Sequence, residues 1–239
     1  MRGKQVAWWG TLLMAFVRAI VAGPQHAASA QDASWSTCNE DGYKVYRAGK
    51  YTQAEKLFGI ALKAAEEFGV SDDRLGISLT NLAQVYSAQA RYDRAEPLYN
   101  RSLAIWEKAL GPDHPNIASS LNNLGWLHVK QAKYDQAEQF YARSLAIREK
   151  SLGPDHPDVA VSLSNLGGLY CRQVNYDWAE PLIRRSLAIF EKVFGSDHPN
   201  VAFSLENYAV LLKATNRTAE AEAMLKRAAE IRERGKAKP

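Results

Sequence analysis

An all-α solenoid of about five helix pairs is the fold class that this 239-residue sequence predicts. Three observations point to it. Gly111-Pro112-Asp113-His114-Pro115 returns as Gly153-Pro154-Asp155-His156-Pro157 and again as Gly195-Ser196-Asp197-His198-Pro199, a step of 42 residues each time. A fixed period of that length marks a stacked-repeat architecture. Between these loops, apolar residues recur at helical spacing. Small residues also repeat in register: Gly42, Ala83, Gly125, Gly167 and Ala209 in the first helix of each unit, and Ala54, Ala95, Ala137, Ala179 and Ala221 in the second. A unit of two amphipathic helices cannot bury its apolar face alone, so stacking is what closes the core.

Composition agrees. With 46% apolar and 23% charged residues, 9 prolines and 2 cysteines, the chain is neither collagenous, nor a disulfide-knotted miniprotein, nor disordered throughout. The net charge of +4 belongs to the ends. Arg2, Lys4 and Arg18 face no acid in residues 1–30, the last fourteen residues carry six cations against Glu230 and Glu233, and the body between is mildly acidic. That distribution does not suit a nucleic-acid groove, which needs a basic stripe along the fold.

Residues 1–30 read as an export signal. Arg2 and Lys4 precede the apolar run Val6–Val17, and Ala28-Ser29-Ala30 supplies a small-residue cleavage site before Gln31. Arg18 cuts the run short of the roughly 20 residues a membrane helix needs. The expectation is a periplasmic or secreted protein; an uncleaved membrane anchor is the alternative. Cys38 and Cys171 lie three units apart, and bridging needs Cα atoms within roughly 7 Å, so they are expected to stay unpaired.

Helix pairs are expected over residues 35–68, 75–110, 117–152, 159–194 and 201–234, with 235–239 a basic tail. In the third pair, Pro115 suits a first helical turn. Ile117, Leu121, Leu124 and His128 then mark one face, and Gln131-Ala132-Lys133 ends the helix. Asp135 and Glu138 read as an acidic capping box, repeated by Asp93/Glu96, Asp177/Glu180 and Thr52/Glu55. With aspartate as N-cap, Pro97 and Pro181 remove only the first intrahelical bond. The second helix runs through Ala137, Tyr141, Ser144 and Leu145 to Leu152, where Gly153 stops it. A helical glycine costs about 1 kcal/mol relative to alanine, so Gly42, Gly125 and Gly167 imply two helix backbones in close approach. Leu79, Leu121, Leu163 and Leu205, with Phe58, Tyr99, Tyr141, Ile183 and Leu225, supply bulk. Each such side chain contributes about 1.5–3 kcal/mol when buried.

At these residues the chain resembles tetratricopeptide repeats: Leu-Gly in the first helix, then Ala, an aromatic and a small residue in the second. The 42-residue unit with its Gly-Pro-Asp-His-Pro junction is similar to the repeat domain of kinesin light chains and their bacterial relatives. The likeness covers residues 35–234 and departs in the first copy, where Asp41 replaces the usual Leu. No coiled-coil segment of the light-chain kind accompanies it. The resemblance implies a right-handed superhelix whose first helices line a concave groove, and a habit of binding peptides there; motor transport is not carried over.

On those first helices Asn81, Asn123, Asn165 and Asn207 hold one position, and Asn122 doubles the third. Asparagine is a mediocre helix former, and two readings are open. Each amide could bond a neighbouring helix or loop and order the stack, or the row could bond the backbone of an extended peptide. Trp126 and Lys130 lie on the stripe of Asn123, Arg172 bears the relation of Lys130 to Asn165, and Gln84 follows Asn81. Amides, one indole and two cations suit a protein segment with acidic and apolar side chains. The candidate binding residues are therefore Asn81, Gln84, Asn122, Asn123, Trp126, Lys130, Asn165, Arg172 and Asn207. On the second helices, Arg101, Arg143 and Arg185 are expected to pair with acids of neighbouring units, with Glu107, Glu149 and Glu191 as the candidates.

No catalytic constellation is expected. H-E-x-x-H, G-x-S-x-G and P-loop patterns are missing from the sequence. The Asp-His-Pro histidines read as helix-start signals, because equivalent loops sit at least a helix-packing distance of roughly 8–10 Å apart, too far to share a metal. No cofactor and no metal are expected. The predicted function is a non-catalytic scaffold. The alternatives are a nucleic-acid-binding helical-repeat protein, which would need cations at the groove positions of every unit, and an accessory subunit of an envelope enzyme. The basic C-terminus allows weak peripheral attachment to anionic envelope surfaces.

Overall fold

The computed structural model describes residues 30–69 and 72–236; the expected export signal up to residue 29 lies outside the described residues. The described residues form ten helices and no strand: α1 (Ala30–Arg47), α2 (Tyr51–Phe68), α3 (Asp73–Ala88), α4 (Tyr92–Leu110), α5 (Pro115–Lys130), α6 (Tyr134–Leu152), α7 (Pro157–Arg172), α8 (Tyr176–Phe194), α9 (Pro199–Ala214) and α10 (Thr218–Lys236). Each helix packs on the next, and α3, α5, α7 and α9 also touch one another in succession. In a curved stack the layer with the closer spacing is the inner one, so the odd-numbered helices line the concave side.

Two kinds of junction set this geometry. Within a pair, the chain turns through one residue in the left-handed region: Gly49, Ala90, Ala132, Val174 and Asn216, at φ from 58° to 72°. The next N–H then reaches back five residues, as in Arg91 N to Tyr86 O at 2.8 Å and Asn175 N to Tyr170 O at 2.9 Å, which is a Schellman closure. Between pairs, Gly69, Gly111, Gly153 and Gly195 adopt positive φ. There His114, His156 and His198 become N-caps, each Nδ1 accepting from the backbone N–H two residues on. Asp72 does the same at the first such junction.

The capping-box expectation is corrected. The residue after the left-handed turn is already the N-cap, and Lys50, Arg91, Lys133 and Asn175 hold that place without a side-chain bond. Asp93, Asp135 and Asp177 fall inside the first turn, where a negative charge still favours the helix dipole. Since Ala95 N already bonds Arg91 O, Pro97 interrupts the ladder two bonds later than expected, at the carbonyl of Asp93, and Pro181 does so at Asp177.

The glycine expectation is corrected too. A Cβ on Gly42 would meet the Phe58 ring at 2.6 Å, one on Gly125 the Tyr141 ring at 2.7 Å, and one on Gly167 Ile183 Cγ1 at 2.8 Å. The glycines receive a large side chain from the partner helix; at Gly167 backbone also comes close, Ala179 O at 3.3 Å. Gly76 does the same for Trp106 at 2.5 Å. The resulting core is longest at the C-terminal end, where one apolar cluster runs from Ala137 in α6 to Ile231 in α10.

Candidate functional site

The repeated asparagines occupy the inner layer and form a ladder. Asn81 Nδ2 donates to Asn39 Oδ1 at 2.9 Å, Asn165 Nδ2 to Asn122 Oδ1 at 2.7 Å, and Asn207 Nδ2 to Ser164 Oγ at 3.3 Å. Each bond ties a first helix to the first helix of the preceding pair. Asn81 is fully committed to the stack, because its Oδ1 also accepts from the Tyr43 hydroxyl. Asn123 breaks the pattern. It is 5% exposed, and its amide has no such bond among the described residues.

Beside Asn123 stand the other residues singled out on α5. Trp126 is half-buried, its indole N–H lacks a hydrogen-bond partner, and Lys130 Nζ lies 5.2 Å from its ring centroid, within cation–π range. Partial burial pushes the Lys130 ammonium below its ordinary pKa, and the positive charge of Arg172 adds to that. The two cations are therefore within electrostatic reach of each other across α5 and α7. Gln84 is half-buried on α3, one unit away from this cluster.

Between α7 and α9 the inner surface opens into a cavity of about 210 Å³. Arg172 and Asn207, two of the expected residues, line it together with Ser164, Gly168, Cys171, Ile183 and Val210. Those five were missed by sequence reading, although a signal existed: Gly168 falls in register with Trp126. Cys171 and Cys38 are both free thiols.

The titratable groups have structural duties. Tyr170 donates to Glu138 at 2.9 Å and Tyr208 to Glu180 at 2.6 Å. The Tyr208 hydroxyl and the Arg217 guanidinium hold the Glu180 carboxyl below the usual range. His128, 4% exposed, occupies in α5 the place of Tyr170 in α7, with Nε2 3.6 Å from Glu96. On the outer layer, Arg101–Glu66 (3.0 Å), Arg143–Glu107, Arg185–Glu149 and Arg227–Glu191 (each 2.6 Å) join successive second helices. The three expected arginines thus pair with acids of the preceding unit, Arg143 and Arg185 with two of the expected glutamates and Arg101 with Glu66, while Glu191 is taken by Arg227. Buried Arg148 was not anticipated; its guanidinium donates to the Asp158 carbonyl at 3.0 Å and to Ser162 Oγ at 2.9 Å. Among the described residues no three metal-ligating side chains converge, and no helix is long and apolar enough to cross a membrane.

A family profile for the tetratricopeptide repeat matches residues 45–108, 74–150, 130–177 and 158–234. No curated protein sequence matches the chain. Among solved structures, BtubC (BKLC) from P. vanneervenii superposes with a TM-score of 0.70 at 23% identity, over 88% of this chain and 94% of its own. A kinesin light chain-like protein of Podospora anserina with nearly identical TPR-like repeats gives 0.67 at 21%, over 89% and 100%. Pseudomonas aeruginosa pilF gives 0.61 at 20%, over 84% and 78%. At these identities the likeness is one of fold.

Proposed function

Because this chain belongs to the tetratricopeptide repeat family, we propose that it is a protein-interaction scaffold which holds an extended segment of a partner along the inner layer of α3, α5, α7 and α9. The observation that carries this reading is the break in the amide ladder at Asn123. In α3, α7 and α9 the repeated amide is bonded to the preceding unit, whereas in α5 it is left over, beside an indole N–H that also lacks an acceptor. An extended peptide backbone offers an acceptor to the buried indole N–H, and an unmet buried donor costs about 1–3 kcal/mol. Lys130 and Arg172 then favour carboxylates in the partner, and Trp126 an apolar side chain. Asn81 belongs to the stack in this reading, while Asn122, Asn165 and Asn207 orient the row and Gln84 marks its N-terminal end.

The role is non-catalytic. The histidines at the junctions cap helices, and the glutamates in the stack accept hydrogen bonds between units, so these groups repeat as structural parts. Catalysis calls for a constellation that does not repeat. The protein works after export in this proposal, on the strength of residues 1–30, and sequencing the mature N-terminus should return Gln31; a chain beginning near Met1 and held in the cytoplasm would refute it.

A library of short peptides panned on the protein tests the groove. Sequences rich in acidic and apolar residues should be enriched, and Asn123→Ala with Lys130→Glu should abolish their binding while helicity and melting temperature stay near wild type. Unaltered binding by that double variant places the site elsewhere.

A further inference from the structure

Along the edge formed by the turns within pairs, a small polar cradle recurs. In the α3–α4 turn it is complete. Arg91 donates to Glu55 at 2.8 Å and to Gln89 Oε1 at 2.9 Å, and its guanidinium lies 4.4 Å from the Tyr86 ring centroid. Arg94 also stands over that ring, at 6.0 Å. Burial opposes ionisation of Glu55, and hydrogen bonds from Gln89, Arg91 and Tyr86 more than offset it, holding the carboxyl below its ordinary range. In the α9–α10 turn Arg217 likewise grips both oxygens of Glu180, at 2.8 and 2.9 Å.

The α7–α8 turn keeps the cradle and lacks its occupant. Tyr170 holds the place of Tyr86 and donates to Glu138 at 2.9 Å, and Gln173 holds the place of Gln89. The cation is replaced by Asn175, where the sister turns carry Lys50, Arg91, Lys133 and Arg217. Gln173 Oε1, the acceptor that Arg91 satisfies two units earlier, is buried with no hydrogen-bond partner among the described residues. Trp178 takes the place of Arg94; it is 66% exposed, its ring 5.9 Å from that of Tyr170. Val174 keeps an exposed branched side chain on a left-handed backbone, a strain of the kind that persists at binding sites. In the α5–α6 turn Gln131 Oε1 is also unmet, but Lys133 keeps a positive charge there and His128 replaces the tyrosine.

We infer that the α7–α8 turn is a receptor for an arginine of a partner protein, whose guanidinium enters the place that Arg91 fills in its own turn. Its N–H groups meet the Glu138 carboxylate and Gln173 Oε1, and its plane lies over Tyr170. Trp178 closes the outer side, indole being the best aromatic partner for a cation. Val174 receives an apolar residue flanking the arginine. A guanidinium suits the cradle better than an ammonium, because its planar fork serves two acceptors while its face stacks on a ring. None of Asn123, Trp126 and Lys130 takes part, so the inference does not depend on the groove reading.

Proton–nitrogen correlation spectra of the full chain test this through the Trp178 indole N–H, identified by its absence from Trp178→Phe. Acetyl-Leu-Arg-Leu-amide should shift that signal saturably. The same peptide with citrulline or lysine in place of arginine should bind about tenfold more weakly, since the charge-assisted bond or the fork is lost. Free arginine, which lacks the flanking residues, should also bind more weakly; this separates a protein segment from a small guanidinium compound. Asn175→Arg supplies the guanidinium from within, as Arg91 does, and should abolish the shift with helicity intact. Glu138→Gln should weaken binding about tenfold while leaving Tyr170 an acceptor. Equal affinity for the citrulline or lysine peptide or for free arginine, or undiminished binding in Asn175→Arg, overturns the receptor. The variant combining Asn123→Ala with Lys130→Glu should bind the arginine peptide like wild type. Loss of binding there would place the peptide in the groove and overturn the receptor while sparing the groove reading.

Discussion

Asn165 and Asn122 are joined side chain to side chain, Nδ2 donating to Oδ1 over 2.7 Å, so that α7 is fastened to α5 by an amide pair in the middle of both helices. Asn122 is 5% exposed, and at that depth a broken partnership leaves an amide desolvated. Asn122→Ala and Asn165→Ala should each cost about 1 kcal/mol. The double variant should cost clearly less than the sum of the two, because the same bond is lost once. Urea denaturation of the four proteins measures this. Additive losses would mean that the two amides serve separate partners, and the ladder would not be a stack-ordering device.

Val174 sits at φ 64° with 65% of its surface exposed. A left-handed backbone costs an L-residue roughly 1–2 kcal/mol, and a β-branched side chain is least suited to it. The sister turns use Gly49, Ala90, Ala132 and Asn216. Val174→Gly should therefore stabilise the protein by about 1 kcal/mol, raising the denaturation midpoint without altering the helical signal; there is little packing to lose at an exposed site. A loss of stability would show that Val174 is held by contacts that outweigh its strain.

Much of the architecture was legible because the pattern repeats. The 42-residue step, the glycines that stop α4, α6 and α8, and the prolines that open α5, α7 and α9 are each local signals with one physical meaning, and three successive junctions repeat them. What was not legible depends on three-dimensional offsets between units. Glu96 and Glu138 look like capping residues by spacing, yet they face His128 and Tyr170 of the next unit; no period within one unit reveals a partner 32 residues on. The glycines signalled closeness but not its object: the rings of Phe58 and Tyr141 and the side chain of Ile183 fill the space where backbone was expected. At the candidate site, the row of amides was visible in sequence, while its direction, with Asn81, Asn165 and Asn207 bonding back to the preceding unit and Asn123 left out, follows from how helices cross. Val210 and Cys171 were invisible as lining residues because nothing in their own neighbourhood distinguishes them from helix-packing positions.

The junction histidines do work that their neighbours in other repeats give to aspartate. His156 Nδ1 accepts from Asp158 N at 3.1 Å, as the Asp72 carboxylate accepts from Arg74 N at 2.9 Å. Removing an N-cap acceptor costs about 0.5–2 kcal/mol. His156→Ala should fall in that range, and His156→Asp should recover most of the loss, since the shorter carboxylate reaches the same N–H in the first junction. Thermal melts of the two variants against wild type decide the matter. Equal loss in both would assign the role of His156 to packing of the imidazole and remove capping as its reason.

His128 gives the stack a pH response whose sign can be worked out. Its ring is buried against Phe140, centroids 5.1 Å apart, and its Nδ1 has no hydrogen-bond partner. Desolvation lowers its pKa below the ordinary 6.5; Glu96 opposes that, Lys133 adds to it, and Gln136 opposes it through a hydrogen bond. The folded protein therefore binds fewer protons than the unfolded chain once pH drops below about 6.5, the ordinary histidine value, and the difference makes stability fall as pH falls through that window. His128→Tyr copies the arrangement of the next unit, where the Tyr170 hydroxyl donates to Glu138, and it removes the titrating group. Denaturation midpoints for wild type and His128→Tyr, followed from pH 7.5 down to about 5, should diverge steadily below 6.5, the tyrosine variant losing less. The junction histidines are common to both proteins and cancel in the difference. Parallel curves would mean that His128 is protonated as readily in the fold as out of it, and that Glu96 compensates fully for its burial.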